Sequence, residues 1–411
     1  MHYSTPPAIG GVENVILAHI HLLSEAGYST TVVTGSGAKE ALPARVEFVQ
    51  IPELDSQHPQ ILEINRELEQ GCVPISFDGM VTQLEETLAH ILPSIDHVIV
   101  HNAFTKHFNV PLTAALFQLL DKGAIRRCIA WCHDFTWTSP HSRSKVHPGF
   151  PWDFLRTHRL DVTYVTISQQ RQRELAGLFG CAPKGIRVIY NGINPSELLA
   201  LSDAGAALID RLGLWDNYLN LLMPVRVTQA KNIELALHVA ESLKARGAWP
   251  KLVVTGPPDP HDPMSKDYFQ SLLALRERLG VVQDVRFVYE SGTSSDEPLL
   301  VDMPMVGELL RVSDALFMPS HREGFGMPVL EAGLVGMPIF CSDQVPAAKE
   351  IGGQDILRFS PTADPDQVAD LILKYIEGSS VLRLRRRVRQ RLTWRSIFRR
   401  KILSLLEGGA A

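Results

Sequence analysis

Residues 315–332 read Ala315-Leu316-Phe317-Met318-Pro319-Ser320-His321-Arg322-Glu323-Gly324-Phe325-Gly326-Met327-Pro328-Val329-Leu330-Glu331-Ala332. An apolar run leaves into a loop with two glycines, and the loop runs into a helical pattern. A continuous rather than alternating apolar run is the signature of a strand buried on both faces of a parallel sheet. The same rhythm surrounds it, with runs at 219–227, 252–255, 285–289 and 339–342. An earlier series stands at 30–34, 46–51, 97–101, 128–132, 162–167 and 187–190. Strands alternating with helical stretches predict an α/β chain with two doubly wound domains. The length, 411 residues, suits two domains at roughly 100–200 residues each. The predicted division is a first domain over 1–196, a linker over 197–218, a second domain over 219–385 and a basic helical segment over 386–411 that packs back toward the first domain.

Composition narrows the classes. Apolar residues make up 45% and charged residues 21%, enough for large cores and too apolar for general disorder. The 40 Lys and Arg against 45 Asp and Glu give −5, which excludes a surface that grips nucleic acid all over. Residues 383–401 hold ten basic and no acidic residues, so the rest of the chain carries −15 once those ten charges are taken from −5. Apolar residues lie among the arginines, and helices that pack one side and solvate the other account for the pattern. The same region also offers a peripheral contact with an acidic membrane or partner. No run approaches the roughly 20 apolar residues of a membrane span, and residues 1–7 carry no signal-peptide core, so a cytoplasmic protein is expected. Five cysteines do not make a disulfide framework and suit a reducing compartment. Cys128, Cys132 and His133 stand close together, but no second Cys/His pair completes a zinc site, and no metal is expected.

Four places carry candidate chemistry. Pro6-Pro7-Ala8-Ile9-Gly10-Gly11-Val12-Glu13 is a loop entering a helix, where glycine amides and the helix N-terminus can meet a phosphate. Arg226 and Lys231 follow the first strand of the second domain, and a guanidinium beside an ammonium suits a diphosphate. Glu323 lies in the glycine loop and Glu331 about one and a half turns into the next helix, so the two can address different parts of one extended ligand. Carboxylates accept hydrogen bonds from hydroxyls, which sugars and ribose present. His133 ends a strand and opens a stretch, 133–154, rich in His, Pro and aromatics, where ring faces can stack on a sugar.

Glu323-Gly324-Phe325-Gly326-Met327-Pro328 followed by Glu331-Ala332 resembles the E-x7-E signature of retaining glycosyltransferases of family four. The likeness extends to Gly10-Gly11-Val12-Glu13, to Trp131-Cys132-His133-Asp134, to Ile189-Tyr190-Asn191-Gly192-Ile193, to Arg226 and Lys231, and to Gly336-Met337-Pro338 with Ser342-Asp343 and Glu350-Ile351. It therefore covers nearly the whole chain. The resemblance implies the GT-B fold, two facing Rossmann-like domains with a cleft between them. It implies transfer of a hexose from a nucleotide diphosphate sugar to a hydroxyl acceptor, which is a sugar, a sugar acid or a lipid-linked saccharide, without a metal cofactor. Arg226 and Lys231 would hold the diphosphate, and Glu331 the ribose. Glu323 would contact the donor sugar, and His133 would meet it from the other domain. Gly10, Gly11, Asn191, Gly324, Phe325 and Gly326 would complete the substrate-binding set.

In that family an apolar strand of five or six residues precedes the glycine loop, whereas only residues 1–5 precede Pro6 here. The first strand is thus expected to be short or missing, with either a fuller strand upstream of Met1 or a weakened, inactive domain. The competing functions are a nucleotide-sugar epimerase of the same fold, which needs no acceptor, and a nucleotide-binding pseudoenzyme. A nicotinamide-dependent oxidoreductase is disfavoured, because no strand leads into a G-x-G-x-x-G loop with an acidic residue about 20 residues on.

Overall fold

A computed structural model of the chain describes residues 1–8, 10–292 and 298–408. Ile9 of the glycine loop and the last three residues of the basic segment lie outside the described residues. The chain forms two compact units, one of Met1–Gly192 with Trp394–Ala411 and one of Ile193–Thr393.

In unit 1 the strands are β1 (His2–Ser4), β2 (Thr31–Ser36), β3 (Glu47–Gln50), β4 (Val98–His101), β5 (Cys128–Cys132), β6 (Val162–Thr166) and β7 (Arg187–Val188). All pairings are parallel, in the orders β1-β2-β3 and β4-β5-β6-β7. Met1 joins the two groups: its amino group donates to the Ile99 carbonyl at 2.7 Å, and the His101 amide donates to the Met1 carbonyl at 3.0 Å. The short first strand is therefore present, at the sheet's centre, between β2 and β4. β2 pairs with β1, and on the other side β4 holds Met1, the residue just before it.

Unit 2 contains β8 (Leu219–Met223), β9 (Pro250–Val254), β10 (Val285–Phe287), β11 (Ala315–Met318), β12 (Ile339–Ser342) and β13 (Leu357–Phe359), in the order β10-β9-β8-β11-β12-β13 and all parallel. β8, β11 and β12 are buried at every position, as their unbroken apolar runs predict. β13 was not expected from the sequence. It is a three-residue edge strand with no fully buried position, so it lacks the apolar run that marks the others. Each unit has the doubly wound order, in which sequence direction reverses once across the sheet.

Two expected boundaries differ from the structure. The segment 197–218 is not an irregular linker. The helix Pro195–Leu198 runs into it and the helix Asp203–Leu212 lies in it, and Leu208, Ile209 and Leu212 enter the core of unit 2. The basic segment divides between the units: helix Ser380–Arg391 stays with unit 2, held by the buried pair of Arg389 Nη1 with Asp314 Oδ1 at 2.7 Å. The chain then returns to unit 1, where Ile397, Phe398, Ile402, Leu405 and Leu406 pack on Ile129, Trp131, Val165 and Ile189.

Gly192 marks the crossing of the two passes. A Cβ there would come within 2.8 Å of the Trp394 amide nitrogen and 2.9 Å of its Cα, and backbone cannot swing aside as a side chain can. Gly192→Ala is expected to cost about 2 kcal/mol of stability through overpacking, read as a lower urea midpoint. An unchanged midpoint would show that the crossing tolerates a side chain.

Candidate functional site

In open α/β sheets, ligands bind outside the carboxyl ends of the strands where the strand order reverses. In unit 2 that place lies between β8 and β11, which are paired in the sheet but far apart in sequence. The loop after β8 carries Arg226 and Lys231, and the loop after β11 carries Glu323. The two loops are fastened together: the His321 amide donates to the Ala230 carbonyl at 2.9 Å, and buried Asn232 donates through Nδ2 to the Pro319 and Pro361 carbonyls at 3.0 and 2.8 Å. Asn232 adopts φ 53°, the left-handed region in which Asn is among the more tolerated residues. It ends the short 3-10 turn Gln229–Lys231 and places Lys231 at the crevice.

There the Lys231 ammonium donates to Glu323 Oε2 at 2.7 Å, and Ser320 Oγ donates to Glu323 Oε1 at 2.9 Å. The side chains are 19% and 9% exposed, so this is a partly desolvated pair whose carboxylate is fixed at both oxygens. An ammonium has three donors, and Glu323 uses one, leaving the others for a ligand. Arg226 is 59% exposed, with its guanidinium 3.9 Å from Asp259 Oδ1. A cavity of about 610 Å³ opens here, lined by Arg226, Lys231, Glu323, Gly324, Arg322 and Asp259 among others.

The helix Met327–Leu334 starts at this loop. Its N-cap, Gly326, has φ 102°, and a Cβ there would lie 2.5 Å from Val345 Cγ1, so the position requires glycine for both conformation and space. No side chain caps the helix N-terminus, but Pro328 has no N–H and the Val329 amide already donates to the Gly326 carbonyl at 3.0 Å. Glu331, half-buried on this helix, accepts no hydrogen bond among the described residues, and burial pushes its carboxyl above the usual range. Glu331, Phe325 and Gly326 are not among the residues lining the cavity itself.

Unit 1 has its own reversal point, between β1 and β4. The helix Gly11–Glu25 begins after β1 with extended Gly10 as N-cap and no side-chain cap. Ser4 Oγ donates to Glu13 Oε1 at 2.8 Å, and a Cβ on Gly10 would lie 2.1 Å from Glu13 Oε2, whereas one on Gly11 would meet nothing. The first glycine makes room for Glu13, and the second leaves the helix end open. His133, just past β5, is 4% exposed, and its Nε2 lies 3.2 Å from His101 Nδ1 with the rings stacked. Its amide donates to Asn102 Oδ1 at 2.9 Å. Burial lowers its pKa to about 4, so the ring is neutral near pH 7. Asn191 is exposed. A larger cavity in unit 1, about 710 Å³, is lined by Thr31, His97 and Arg127 at the amino ends of the strands and by Thr5 and His101 at the carboxyl ends of β1 and β4.

Sequence reasoning missed Asn102, Asn232 and Ser320 as functional supports. Asn102 and Ser320 stand one and two residues past the ends of β4 and β11, and Asn232 stands just before a helix, places where Asn and Ser are common in turns and caps. Cys128 and Cys132 are buried, with thiols pushed up to about 12 by burial. Among the described residues no group of three or more His, Cys, Asp or Glu is placed to hold a metal ion. Among them, too, no helix is long and apolar enough to cross a membrane.

Two Rossmann-like units in one chain, each with glycine loops at a reversal point, are the GT-B architecture. The family model "Glycosyltransferase Family 4" matches residues 9–197 and the model "Glycosyl transferases group 1" matches residues 209–392. Together they span both halves of the chain, which belongs to the group 1 glycosyltransferases. Among curated proteins, an uncharacterized glycosyltransferase of Methanocaldococcus jannaschii is 29% identical over 180 residues, 43% of this chain and 41% of the relative. A D-inositol 3-phosphate glycosyltransferase of Streptomyces bingchenggensis is 28% identical over 196 residues, 46% of this chain and 38% of the relative. These alignments span about two fifths of the relatives' own length. Of solved structures, the UDP complex of Anabaena Alr3699/HepE aligns over 99% of this chain and 100% of that one at 18% identity, with a TM-score of 0.35, a distant likeness that adds nothing to the assignment.

Proposed function

We propose that the chain is a hexosyltransferase that takes its sugar from a nucleoside diphosphate sugar, gives it to a hydroxyl acceptor and retains the anomeric configuration. The observation that carries this reading is the Lys231–Glu323 pair beside Arg226, at the reversal point of unit 2. A diphosphate needs fixed cations, and a sugar next to it needs a fixed carboxylate. Family membership supports the same class.

In the reaction the bond between the sugar C1 and the diphosphate oxygen breaks, and the acceptor oxygen bonds C1 on the same face. The acceptor's proton passes to the leaving phosphate. Arg226 and the free donors of Lys231 stabilise the charge that develops on that phosphate, the kind of fixed electrostatic complement that lowers such barriers most. Glu323 orients the sugar and Lys231 together and is not a covalent nucleophile. Glu331 takes the ribose hydroxyls. No metal is required by this scheme.

Arg226→Ala combined with Lys231→Ala is expected to weaken nucleoside diphosphate binding at least about 100-fold, as the loss of two charge-assisted contacts implies, read by calorimetry. Unchanged affinity would move the phosphate site elsewhere. Release of nucleoside diphosphate from UDP-, GDP- and ADP-hexoses, assayed with and without acceptors, tests the reaction. Acceptor-dependent release with a retained anomer is expected, and sugar conversion with no acceptor would replace transfer by epimerisation.

A further inference from the structure

The helix Ser380–Arg391 carries six arginines, and the structure sorts them into two arcs. On the inner arc Arg389 is buried and pairs with Asp314 at 2.7 Å, Arg385 donates to the Arg311 carbonyl, and Arg386 lies over the Tyr218 ring at 3.7 Å. Leu382 joins the unit 2 core between them. These three arginines are engaged with other residues of unit 2. At 100° per residue the remaining positions form one continuous outer arc. It runs through Arg383, Arg387 and Arg391 to Leu384 and Val381. Leu384 and Val381 are 58% and 73% exposed. Arg387 and Arg391 make no ion pair among the described residues, and Arg383 donates only to the Glu377 carbonyl.

We propose that this outer arc docks the chain on an anionic lipid surface. Three guanidiniums in a row match a layer of headgroup phosphates, and the two aliphatic side chains beside them can bury in the interfacial region while the arginines stay at headgroup level. Single-stranded nucleic acid would use the arginines but give the exposed Leu384 and Val381 nothing to bury against. The chain's net charge of −5 disfavours it further. The surface lies wholly within unit 2 and is independent of the reaction proposed above.

The test is co-sedimentation of the full chain with vesicles of phosphatidylcholine alone or with about 30% phosphatidylglycerol, at low and high salt. Binding is expected only to the anionic vesicles and to fall with salt, as electrostatic attachment does. Arg387→Glu with Arg391→Glu is expected to weaken it at least about tenfold, with the thermal midpoint unchanged to show an intact fold. Equal binding to uncharged vesicles, no binding to anionic ones, or full binding by the folded double variant would overturn the proposal. Tighter binding to a single-stranded RNA oligomer than to the anionic vesicles would overturn it too.

Discussion

Glu323→Ala is expected to lower sugar transfer by about 10²–10³-fold or more, the scale of losing one preorganised electrostatic group, while nucleoside diphosphate affinity changes less than about tenfold. The split follows from the pair's geometry. Glu323 holds Lys231 at 2.7 Å, so removing it frees the ammonium to follow the diphosphate even as it leaves the sugar unoriented. Glu323→Gln keeps a hydrogen-bonding oxygen for Ser320 but removes the negative charge, and it separates orientation from charge. Lys231→Ala acts in the opposite sense, since it strands a carboxylate that is only 9% exposed and costs stability as well as affinity. Glu331→Ala is expected to weaken nucleoside binding with little change in transfer at saturating donor. Steady-state kinetics together with calorimetry read these effects apart. Equal, small effects from Glu323→Ala and Glu331→Ala would remove both assigned roles.

The chain is expected to lose several kcal/mol of stability between about pH 6.5 and pH 4. Burial depresses His2 to about 4, His19 to about 3, and His133 to about 4, and holds His101 well below the ordinary histidine value. Above pH 6.5 these rings are neutral folded or unfolded, so they contribute no pH dependence. As pH falls below 6.5 the unfolded chain takes up protons that the folded chain refuses, and stability drops until the folded values are reached. Each pKa unit is worth about 1.4 kcal/mol, so even two of the four suffice. His19 isolates the effect, because neither of its ring nitrogens has a partner among the described residues and its ring packs edge-on to Trp131 at 4.5 Å. His19→Phe therefore removes a titrating group without breaking a hydrogen bond, and it is expected to flatten the acid limb. Urea midpoints at pH 7.5 and pH 5 measure this, and identical midpoints for the unaltered chain would refute it.

Much of this architecture was written in local pattern. The long parallel strands announced themselves through unbroken apolar runs, and Gly326 through a loop that only glycine can make. What stayed hidden was short or non-local. β1 has three residues, and its place at the sheet centre depends on Ile99 and His101, which the sequence does not mark as its neighbours. Lys231 and Glu323 are 92 residues apart, and nothing in either segment shows that the two loops are tied through Asn232 and His321. The resemblance supplied both residues as separate roles, and the structure joins them in one ion pair. Asn191-Gly192 reads differently as well, since Gly192 is explained by the backbone of Trp394 passing beside it. The basic terminal segment looked uniform, yet burial of Arg389 against Asp314 splits it between two units.

The central claim is that the crevice between β8 and β11 holds a nucleoside diphosphate sugar. A thermal-shift series with UDP, GDP and ADP, each with and without its hexose, tests it most directly, because a ligand at about 100 times its dissociation constant adds roughly 2.7 kcal/mol of stability. A selective upward shift with one nucleotide, larger with its hexose and lost in the Arg226→Ala, Lys231→Ala variant, is the expected result. No shift with any of them from folded protein, or a shift that survives in the variant, would contradict it.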